Sequence, residues 1–391
     1  MAPPQTAPRM QADIYHYALC VSLTLMIFFS YRFILGRLPD KAVYRPYRIS
    51  RALMGAALLN LSANYSIHLF LTPRQADPVN AILMNLCTYW LAVWLFGSAL
   101  MMLLDRSYVT RRRFVRYLLG WLAYCLATVA LRACLPGGVA HQIFPVVLAL
   151  VFVAYATRVA RKVFVTFREA VRRLDDYYSD DAAAYIRWMS VFTYWAIIFG
   201  VGQGVFTFVP DRFVYIWIIS AIPFYIYLYV SYANYLLFYE HVEGAFRDSE
   251  PAGGEMTADT CGQPAEPEET PTEKAAPRMS DTQEELLEQR ITAWTEGHGY
   301  TRLGLTIMDV ARDTGTNRTY ISQFVSTHYG VSFREWVNSL RLQYAKQLLA
   351  QHPDMPVAEV ARRAGYLSQS YFCRTFKDNE GVTPGRWGKT H

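Results

Sequence analysis

The chain contains 391 residues, of which 53% are hydrophobic and 15% aromatic, and it carries a formal net charge of +6. This length is enough for two or more domains. Its six cysteines include no CxxC pair and no accompanying histidine cluster, which argues against a disulfide framework or a zinc site and favours reduced thiols.

The apolar residues are distributed unevenly along the chain. Residues 1–243 are dominated by large aliphatic and aromatic side chains, residues 244–283 contain almost none, and residues 284–391 have an ordinary globular mixture. Tyr and Trp collect at the lipid–water boundary of membrane proteins, which fits the aromatic-rich first part. The sequence therefore predicts a transmembrane domain, a linker and a folded C-terminal domain in these three ranges.

Seven apolar stretches in the first part reach the length, on the order of 20 residues, that a helix needs to cross a bilayer. None of them contains Asp or Glu, which agrees with the high cost of a carboxylate at bilayer depth. We therefore expect a polytopic transmembrane helix bundle with helices at 14–36, 51–71, 81–104, 114–135, 139–158, 188–209 and 213–239.

Lysine and arginine are concentrated in alternate loops of this predicted bundle. The segments 37–51, 105–116 and 158–187 hold seventeen, against four in the N-terminus and the remaining loops. Because basic loops stay in the cytoplasm, the N-terminus is predicted outside and everything after Tyr239 in the cytoplasm. A cleaved signal peptide would instead export the five cations of 37–51, so the first stretch is interpreted as a span.

A few polar residues interrupt the predicted spans. Asn60, Asn64 and His68 are spaced four apart on one helical face, and Gln203 lies among glycines in the sixth span. Interhelical hydrogen bonding and close packing would explain them, and so would a small-molecule pocket that senses a signal. With no acidic residue, metal set or nucleophile motif in the spans, we predict no catalytic residue, metal or cofactor, and no enzyme.

Two further segments flank this part. Residues 158–187 alternate basic and apolar side chains, which favours a helix extending into the cytoplasm or lying on the inner leaflet. From Ala245 to Asp281, nine acidic residues accompany three basic ones among Pro, Gly and Thr. Such a composition cannot bury enough apolar surface to offset its ordering entropy, so 244–283 is predicted to be a disordered acidic linker.

Two stretches of the C-terminal part, 305–330 and 356–381, repeat each other. Their apolar residues match at an offset of 50 as far as Gly315 and Gly365, and at 51 beyond them. Each stretch predicts a helix, a tight turn that glycine permits, and a second helix capped by Asn317 or Ser368. The second turn is predicted to be one residue longer, and a longer helix between the units would brace both.

The second helix of each unit has an exposed face of short or hydrogen-bonding side chains. One such face alone would be interpreted as an ordinary solvated surface. Two faces at matching register behind glycine turns favour recognition helices that enter the major groove of DNA. The candidate DNA-binding residues are Arg318, Thr319, Ser322, Gln323, Gln369, Ser370, Cys373, Arg374 and Lys377, with the helix starts at Asn317 and Ser368 suited to phosphates.

The sequence VAEVARRAGYLSQSYFCRTFKDNEGVTPGRW, at 357–387, closely resembles the signature of the AraC/XylS family. The resemblance covers about 100 residues, 287–388, and implies two helix-turn-helix units that read adjacent major grooves. The chain departs from the family pattern at Cys373 and after Pro384, where Gly385 precedes the basic and aromatic residues. The family's usual sensor is a soluble barrel, and a seven-span domain in its place resembles the membrane-bound regulators of this family in bacteria.

These observations predict an all-α protein with an AraC-type DNA-binding domain at 284–391. Its predicted function is that of a one-component transcriptional regulator of the bacterial inner membrane, binding promoter DNA in response to a sensed signal. A transporter or channel with a regulatory DNA-binding tail is the alternative. The net charge of +2 over 284–391, thirteen basic against eleven acidic residues, is modest for a DNA-binding domain, so binding is expected to need two copies or the local concentration that a tether provides. The expected partners are double-stranded DNA, the lipid bilayer, an unknown signal ligand or membrane partner, RNA polymerase and a second copy.

Overall fold

The polypeptide folds into helices and their connecting turns. Apart from one isolated antiparallel bridge between Tyr178 and Thr306, the described residues form no β-structure, so the predicted all-α fold class is confirmed for them. The computed structural model describes residues 6–134, 139–181, 186–208, 211–249 and 281–389. The chain divides into two compact units, one formed by Met1–Ala170 and Tyr185–Glu240 and the other by Val171–Ala184 and His241–His391.

Long apolar helices build the first unit. Helix by helix, they are α1 (Thr6–Leu35), α2 (Arg45–Phe70), the short α3 (Pro73–Ala76), α4 (Pro78–Leu104), α5 (Arg111–Cys134), α6 (Val139–Asp175), α7 (Trp188–Phe206) and α8 (Asp211–Ser249). Helix α2 packs against α1 and α4, and Ala57, Trp94 and Leu95 are buried between α2, α4 and their neighbours. Close approach of α1 and α2 is possible because Gly55 lacks a side chain, and its carbonyl accepts a 2.8 Å hydrogen bond from Ser30 Oγ.

Six helical segments of the described chain are long and apolar enough to cross a membrane. The predicted span at 51–71 is helical as part of α2 but is not one of the six, because Asn60, Asn64 and His68 lower its hydropathy. A seventh span therefore stays a prediction. The six segments are Ile14–Leu35, Pro78–Leu104, Arg111–Cys134, Ile143–Asp175, Trp188–Val205 and Phe213–Leu237.

The second unit contains shorter helices with polar outer faces. Its longest helix, α12, packs against α11 on one side and α13 on the other. A single turn of 3-10 helix at Gly299–Thr301 joins α9 to the strand-like residues before α10. The helices are α9 (Asp281–Glu296), α10 (Ile307–Asp313), α11 (Arg318–Tyr329), α12 (Phe333–Gln351), α13 (Val357–Arg363), α14 (Gln369–Glu380) and α15 (Pro384–Trp387).

The boundaries of the connecting segments differ in detail from the sequence-based expectations. Helix α6 continues past the predicted span end at 158 and runs without interruption to Asp175. The ends of the predicted linker 244–283 are helical, since α8 reaches Ser249 and α9 begins at Asp281. Its remaining residues, 250–280, lie outside the described residues, as does Cys261, whereas Cys20, Cys87, Cys125, Cys134 and Cys373 are free thiols.

Candidate nucleic-acid interface

The first helix-turn-helix unit is α10, a four-residue turn and α11. A capping box starts α10: Asp309 N donates to Thr306 Oγ1 at 3.2 Å, and Thr306 N donates back to the Asp309 carboxylate at 3.0 Å. The turn passes through Gly315, whose φ of +65° lies in the left-handed region that favours glycine. Asn317 then accepts a 3.0 Å hydrogen bond from Tyr320 N and so caps α11.

The second helix-turn-helix unit, formed by α13 and α14, repeats this turn. Thr316 N donates to the carbonyl of Ala311 at 2.8 Å, and Tyr366 N makes the corresponding 2.9 Å bond to Ala361. Beyond the glycine the units diverge, because the cap of α11 lies two residues after Gly315 whereas Ser368 lies three residues after its glycine. The predicted extra residue in the second turn is therefore present.

Gly365 is required for a second reason besides its φ of +90°. A Cβ at this position would lie 2.7 Å from the carbonyl oxygen of Thr301, a backbone atom that cannot move aside cheaply. The equivalent Cβ at Gly315 would meet only the flexible guanidinium end of Arg290, at 3.1 Å. The second turn thus packs directly on the main chain that precedes α10.

A hydrophobic cluster holds α14 against α12 and α13. Phe372 and Phe376 on α14 are fully buried against Leu342 and Leu349 of α12 and Val360 of α13. In α11 the corresponding buried residues are Ile321, Phe324 and Val325. Because each second helix turns its apolar side inward, its polar side is fixed outward, which is the arrangement that a recognition helix needs.

The candidate DNA-binding residues lie on these outward faces to different degrees. Gln369, Ser370, Arg374 and Lys377 are exposed on α14, and Thr319 is exposed on α11. Partly buried positions are Arg318, Ser322 and Gln323 on α11 and Cys373 on α14.

Cys373 differs in character from its neighbours on α14. Its side chain packs against the hydrophobic cluster around Phe372, and burial raises the pKa of its thiol. A neutral thiol is only a weak hydrogen-bond donor and acceptor, so Cys373 has little to offer a base edge. Among the predicted residues it is the least suited to direct contact.

Comparison with known proteins gives consistent matches to this region. A family described as a helix-turn-helix domain matches residues 310–390. The chain is 35% identical over 98 residues to the HTH-type transcriptional regulator ExsA of Pseudomonas aeruginosa, covering 25% of this chain and 34% of ExsA. It is 36% identical over 80 residues to the regulatory protein PocR of Salmonella typhimurium, covering 20% of this chain and 26% of PocR. A solved structure, the C-terminal domain of AraT, a response regulator from Geobacillus stearothermophilus, matches with 26% identity and a TM-score of 0.25, covering 27% of this chain and 85% of that one.

The family match and the duplicated turn geometry fall on the same residues. The C-terminal region is an AraC-type helix-turn-helix domain. The chain spans about a third of the length of ExsA and about a quarter of that of PocR.

The AraC-type domain is in contact with an acidic segment from far upstream, residues 174–181 (LDDYYSDD), which sequence reasoning missed. Asp181 Oδ2 accepts a 2.6 Å hydrogen bond from Arg374 of α14, and its Oδ1 lies 3.5 Å from Arg334 at the start of α12. Arg334 also pairs with Asp175 at 2.8 Å. The available sequence signal was four aspartates in eight residues, directly after a run of basic ones.

Backbone hydrogen bonds join the acidic segment to Leu305 and to Ile307, the first residue of α10. Ile307 N donates to the carbonyl of Tyr177 at 2.9 Å, and Ser179 N donates to the carbonyl of Leu305 at 3.1 Å, which makes the Tyr178–Thr306 bridge. The hydroxyl of Ser179 donates to the same Leu305 carbonyl at 2.8 Å. These three bonds fix the register of the segment on the domain.

The other two aspartates of the acidic segment face arginines of the domain as well. Asp180 lies 3.4 Å from Arg341 of α12, a fully buried side chain that also donates to the carbonyls of Tyr300 and Arg302. Burial raises the pKa of Asp180, against the opposing charge of Arg341. Burial likewise raises the pKa of Asp176, against the opposing charge of Arg318 at the start of α11.

The candidate sensor residues lie in two separate places in the first compact unit, among the long apolar helices. Asn64 Nδ2 and His68 Nε2 both lie 2.9 Å from Asn85 Oδ1 of α4, and Asn60 Nδ2 donates to the carbonyl of Thr88 at 2.9 Å. Gln203 is not in this network; it lines a cavity of about 70 Å³ whose walls are mostly apolar. The network partners Asn85 and Thr88 were not predicted, since each is a single polar residue in an apolar helix.

Proposed function

We propose that this chain is a membrane-bound, one-component transcriptional regulator that binds promoter DNA through both helix-turn-helix units of its AraC-type domain. The observation that carries the proposal is the duplication itself. Helices α11 and α14 each start at a side-chain cap behind a left-handed glycine, and each presents a polar face fixed outward by a buried apolar one. The relatives ExsA and PocR are named as regulators, which agrees with this role.

In the proposed complex, α11 and α14 enter successive major grooves on one side of the duplex. Arginine pairs with guanine edges and glutamine with adenine edges, which assigns base contacts first to Arg374, Gln369 and Gln323. The short side chains of Thr319, Ser322 and Ser370 allow the helices to approach closely. Lys377 and the backbone amides that follow Asn317 and Ser368 are assigned to phosphates, and Arg318 to either.

The proposed location is the inner membrane of a bacterium, with the N-terminus outside and the AraC-type domain in the cytoplasm. Support comes from the six helices that are long and apolar enough to span, to which the predicted span at 51–71 adds the seventh that this orientation requires, and from the concentration of seventeen basic residues in alternate loops. A tether to the membrane raises the local concentration of one domain near another, which would offset the modest charge of the domain. A homodimer on DNA and contact with RNA polymerase complete the proposal.

For the signal, we propose that the first compact unit, which contains the long apolar helices, holds the sensor. The network of Asn60, Asn64 and His68 is the best candidate, because a buried polar group that lacks a hydrogen bond costs free energy, which a ligand can recover by supplying that bond. Asn64 Oδ1 is buried and accepts no hydrogen bond from the described residues. An acceptor of this kind can take a hydrogen bond from a ligand or from a rearranged helix, and this is where the proposed signal would act.

Capture of genomic DNA by the full chain tests the proposed function. The tagged chain is purified in detergent, incubated with sheared DNA of its host, and the bound fragments are sequenced. Enrichment of discrete promoter segments, lost on replacing both Arg374 and Gln369 by alanine, is the expected result. Uniform recovery of all fragments, with the double variant indistinguishable from the parent, would contradict it. A reporter fused after Glu240 tests the topology and is expected to be active in the cytoplasm only.

A further inference from the structure

We propose that the acidic segment, residues 174–181, and DNA compete for one surface of the AraC-type domain, so that the chain carries its own inhibitor of DNA binding. This inference rests on the proposed DNA-binding function. The surface consists of Arg334 and Arg374, which contact the segment directly, together with Arg318, whose charge acts on Asp176. Two of these three arginines are among the residues assigned to DNA.

The contact at Arg374 shows why both ligands cannot bind at once. The Asp181 carboxylate bridges Arg374 and Arg334, and its side chain is only 10% exposed. Asp181 accepts from Nη2 of Arg374, and a bidentate contact with a phosphate or a guanine edge would use this group as one of its two donors. DNA must therefore displace Asp181 or do without the bidentate contact from Arg374.

The acidic segment, eight residues long, contacts α14 directly and lies within electrostatic range of α11. Asp181 lies at α14, whereas Asp176 acts electrostatically on Arg318 at the first position of α11. Between them, the backbone bonds of Tyr177 and Ser179 hold the segment against the residues that precede α10. One displaced segment would thus free both helices together.

Charge strengthens the competition beyond the direct contacts. Four aspartates of the segment lie on or beside a domain whose residues 284–391 have a net charge of only +2. DNA affinity depends mainly on neutralising phosphates with basic side chains, and carboxylates on the same surface oppose it. The docked segment therefore weakens binding to any sequence, while the Asp181 contact weakens the specific part.

The acidic segment is also placed to respond to movements of the first compact unit, which contains the long apolar helices. It continues directly from α6, a single helix of 37 residues that starts at Val139. Rotation or displacement of α6 would pull on the segment through the covalent chain. Release of the segment is the step through which we propose that a sensed signal reaches the DNA-binding surface.

The aspartates differ in how safely they can be replaced. Asp180 pairs with the fully buried Arg341, and removing it would leave a buried charge without its partner, which strongly destabilises a fold. Asp181 pairs with Arg374, which is 53% exposed, and Asp176 lies at the start of the segment. The test therefore uses the double variant D176N/D181N and leaves Asp180 intact.

The first measurement is the DNA affinity of the full chain in nanodiscs, by fluorescence anisotropy with a labelled random-sequence duplex of about 40 base pairs, enough for two successive major grooves. We expect D176N/D181N to bind about five- to tenfold more tightly than the parent chain, because the variant loses the Asp181 carboxylate at Arg374 and the charge of Asp176 near Arg318. The control, E288Q/D354N, neutralises two exposed carboxylates for which the described residues provide no ion pair. Affinity that is unchanged in D176N/D181N, or raised equally in the control, overturns the proposal.

The second measurement is hydrogen exchange at the amides of Ser179 and Ile307, whose hydrogen bonds join the acidic segment to the domain. Addition of saturating duplex should speed exchange at both amides, because DNA displaces the segment. Equal or slower exchange on adding DNA would show a permanently docked segment and overturn the competition. If the parent, the double variant and the control all fail to bind any duplex although folded, the proposed function itself fails, which is a different result from binding without competition.

Discussion

The two helix-turn-helix units reach the same backbone geometry with different side chains. Both turns make the same backbone hydrogen bond, from Thr316 N to Ala311 and from Tyr366 N to Ala361. The helices before them begin differently, because α10 starts with the Thr306–Asp309 capping box whereas α13 starts at Pro356, which has no side-chain cap. Their glycines also differ, since only Gly365 is pressed against another backbone. The turn is thus a property of the backbone path, and each unit satisfies it with what its surroundings allow.

Replacing the turn glycines by alanine should break this comparison with the largest effect. G365A forces a Cβ to within 2.7 Å of a backbone oxygen at a φ of +90°, so we expect a loss of about 3 kcal/mol or more. G315A meets only a movable arginine end and should cost about 1 kcal/mol. The free energy of opening, measured by hydrogen exchange of peptides from 281–389 in the full chain, gives both values. Equal losses would mean that the contact with Thr301 does not constrain the second turn.

Replacing one arginine in α11 and one in α14 compares how much each helix-turn-helix unit contributes to DNA binding. R374A and R318A should each weaken DNA binding by about 1–3 kcal/mol if each arginine holds a base or phosphate. R363A removes the same charge from α13, where Arg363 is exposed and pairs with Glu359, and serves as the matched control. The measurement is the dissociation constant for a captured genomic fragment at fixed salt. A loss in R363A as large as in R374A would reduce both effects to general electrostatics.

Removing the caps tests whether the longer second turn is as firmly held as the first. N317A and S368A each delete a side-chain acceptor at a helix start, at a cost of about 1 kcal/mol. The hydrogen bond to Tyr320 N is shorter, at 3.0 Å, than that to Tyr371 N, at 3.3 Å, so N317A should have the larger effect. S370A, at an exposed position two residues after Ser368 on α14, is the control. Thermal unfolding of the full chain with DNA absent ranks the three variants, and a larger loss in S370A would reject the capping assignment.

The parts of the fold predicted correctly from sequence are those encoded by neighbouring residues. The turn at Gly315, the extra residue before Ser368 and the outward faces of α11 and α14 all follow from periodicity within about 25 residues. Spacing of four placed Asn60, Asn64 and His68 on one face of α2 for the same reason. Helix α2 shows the limit of such patterns, because the same polar residues lower its hydropathy below that of the six helices that are apolar enough to span.

The parts that sequence reasoning missed depend on long-range contacts. Asp181 and Arg374 are 193 residues apart, and each alone is an ordinary charged residue on a solvated surface. Nothing in the local pattern of residues 174–181 specifies a docking partner, and the run of aspartates next to basic residues was the only available signal. Gln203 shows the converse, since its position among glycines placed it with the polar network although the fold puts it in a separate cavity.

Acid titration should give the smallest difference between the two units. Burial alone would raise the pKa of Asp309, but hydrogen bonds from Thr306 and the charge of Arg312 lower it, and hydrogen bonds from Ser332 lower the pKa of Glu335. For both groups the folded pKa lies below the unfolded one, so their stabilisation is complete above about pH 5 and is lost as the pH falls through the folded value. In the second unit, Arg362 and Arg363 lower the pKa of Glu359 to about 2.

The two partners of Glu359, Arg362 and Arg363, are exposed, and ion pairs to such surface arginines contribute little to folding. We therefore expect D309N to flatten the pH dependence of stability below about pH 4, and E359Q to leave it almost unchanged. Hydrogen exchange of peptides covering α10 and α13, measured in the full chain between pH 5 and pH 2.5, separates the two units. If E359Q flattened the curve as much as D309N, the second unit would depend on its surface charges as strongly as the first depends on its capping box, and the contrast between them would disappear.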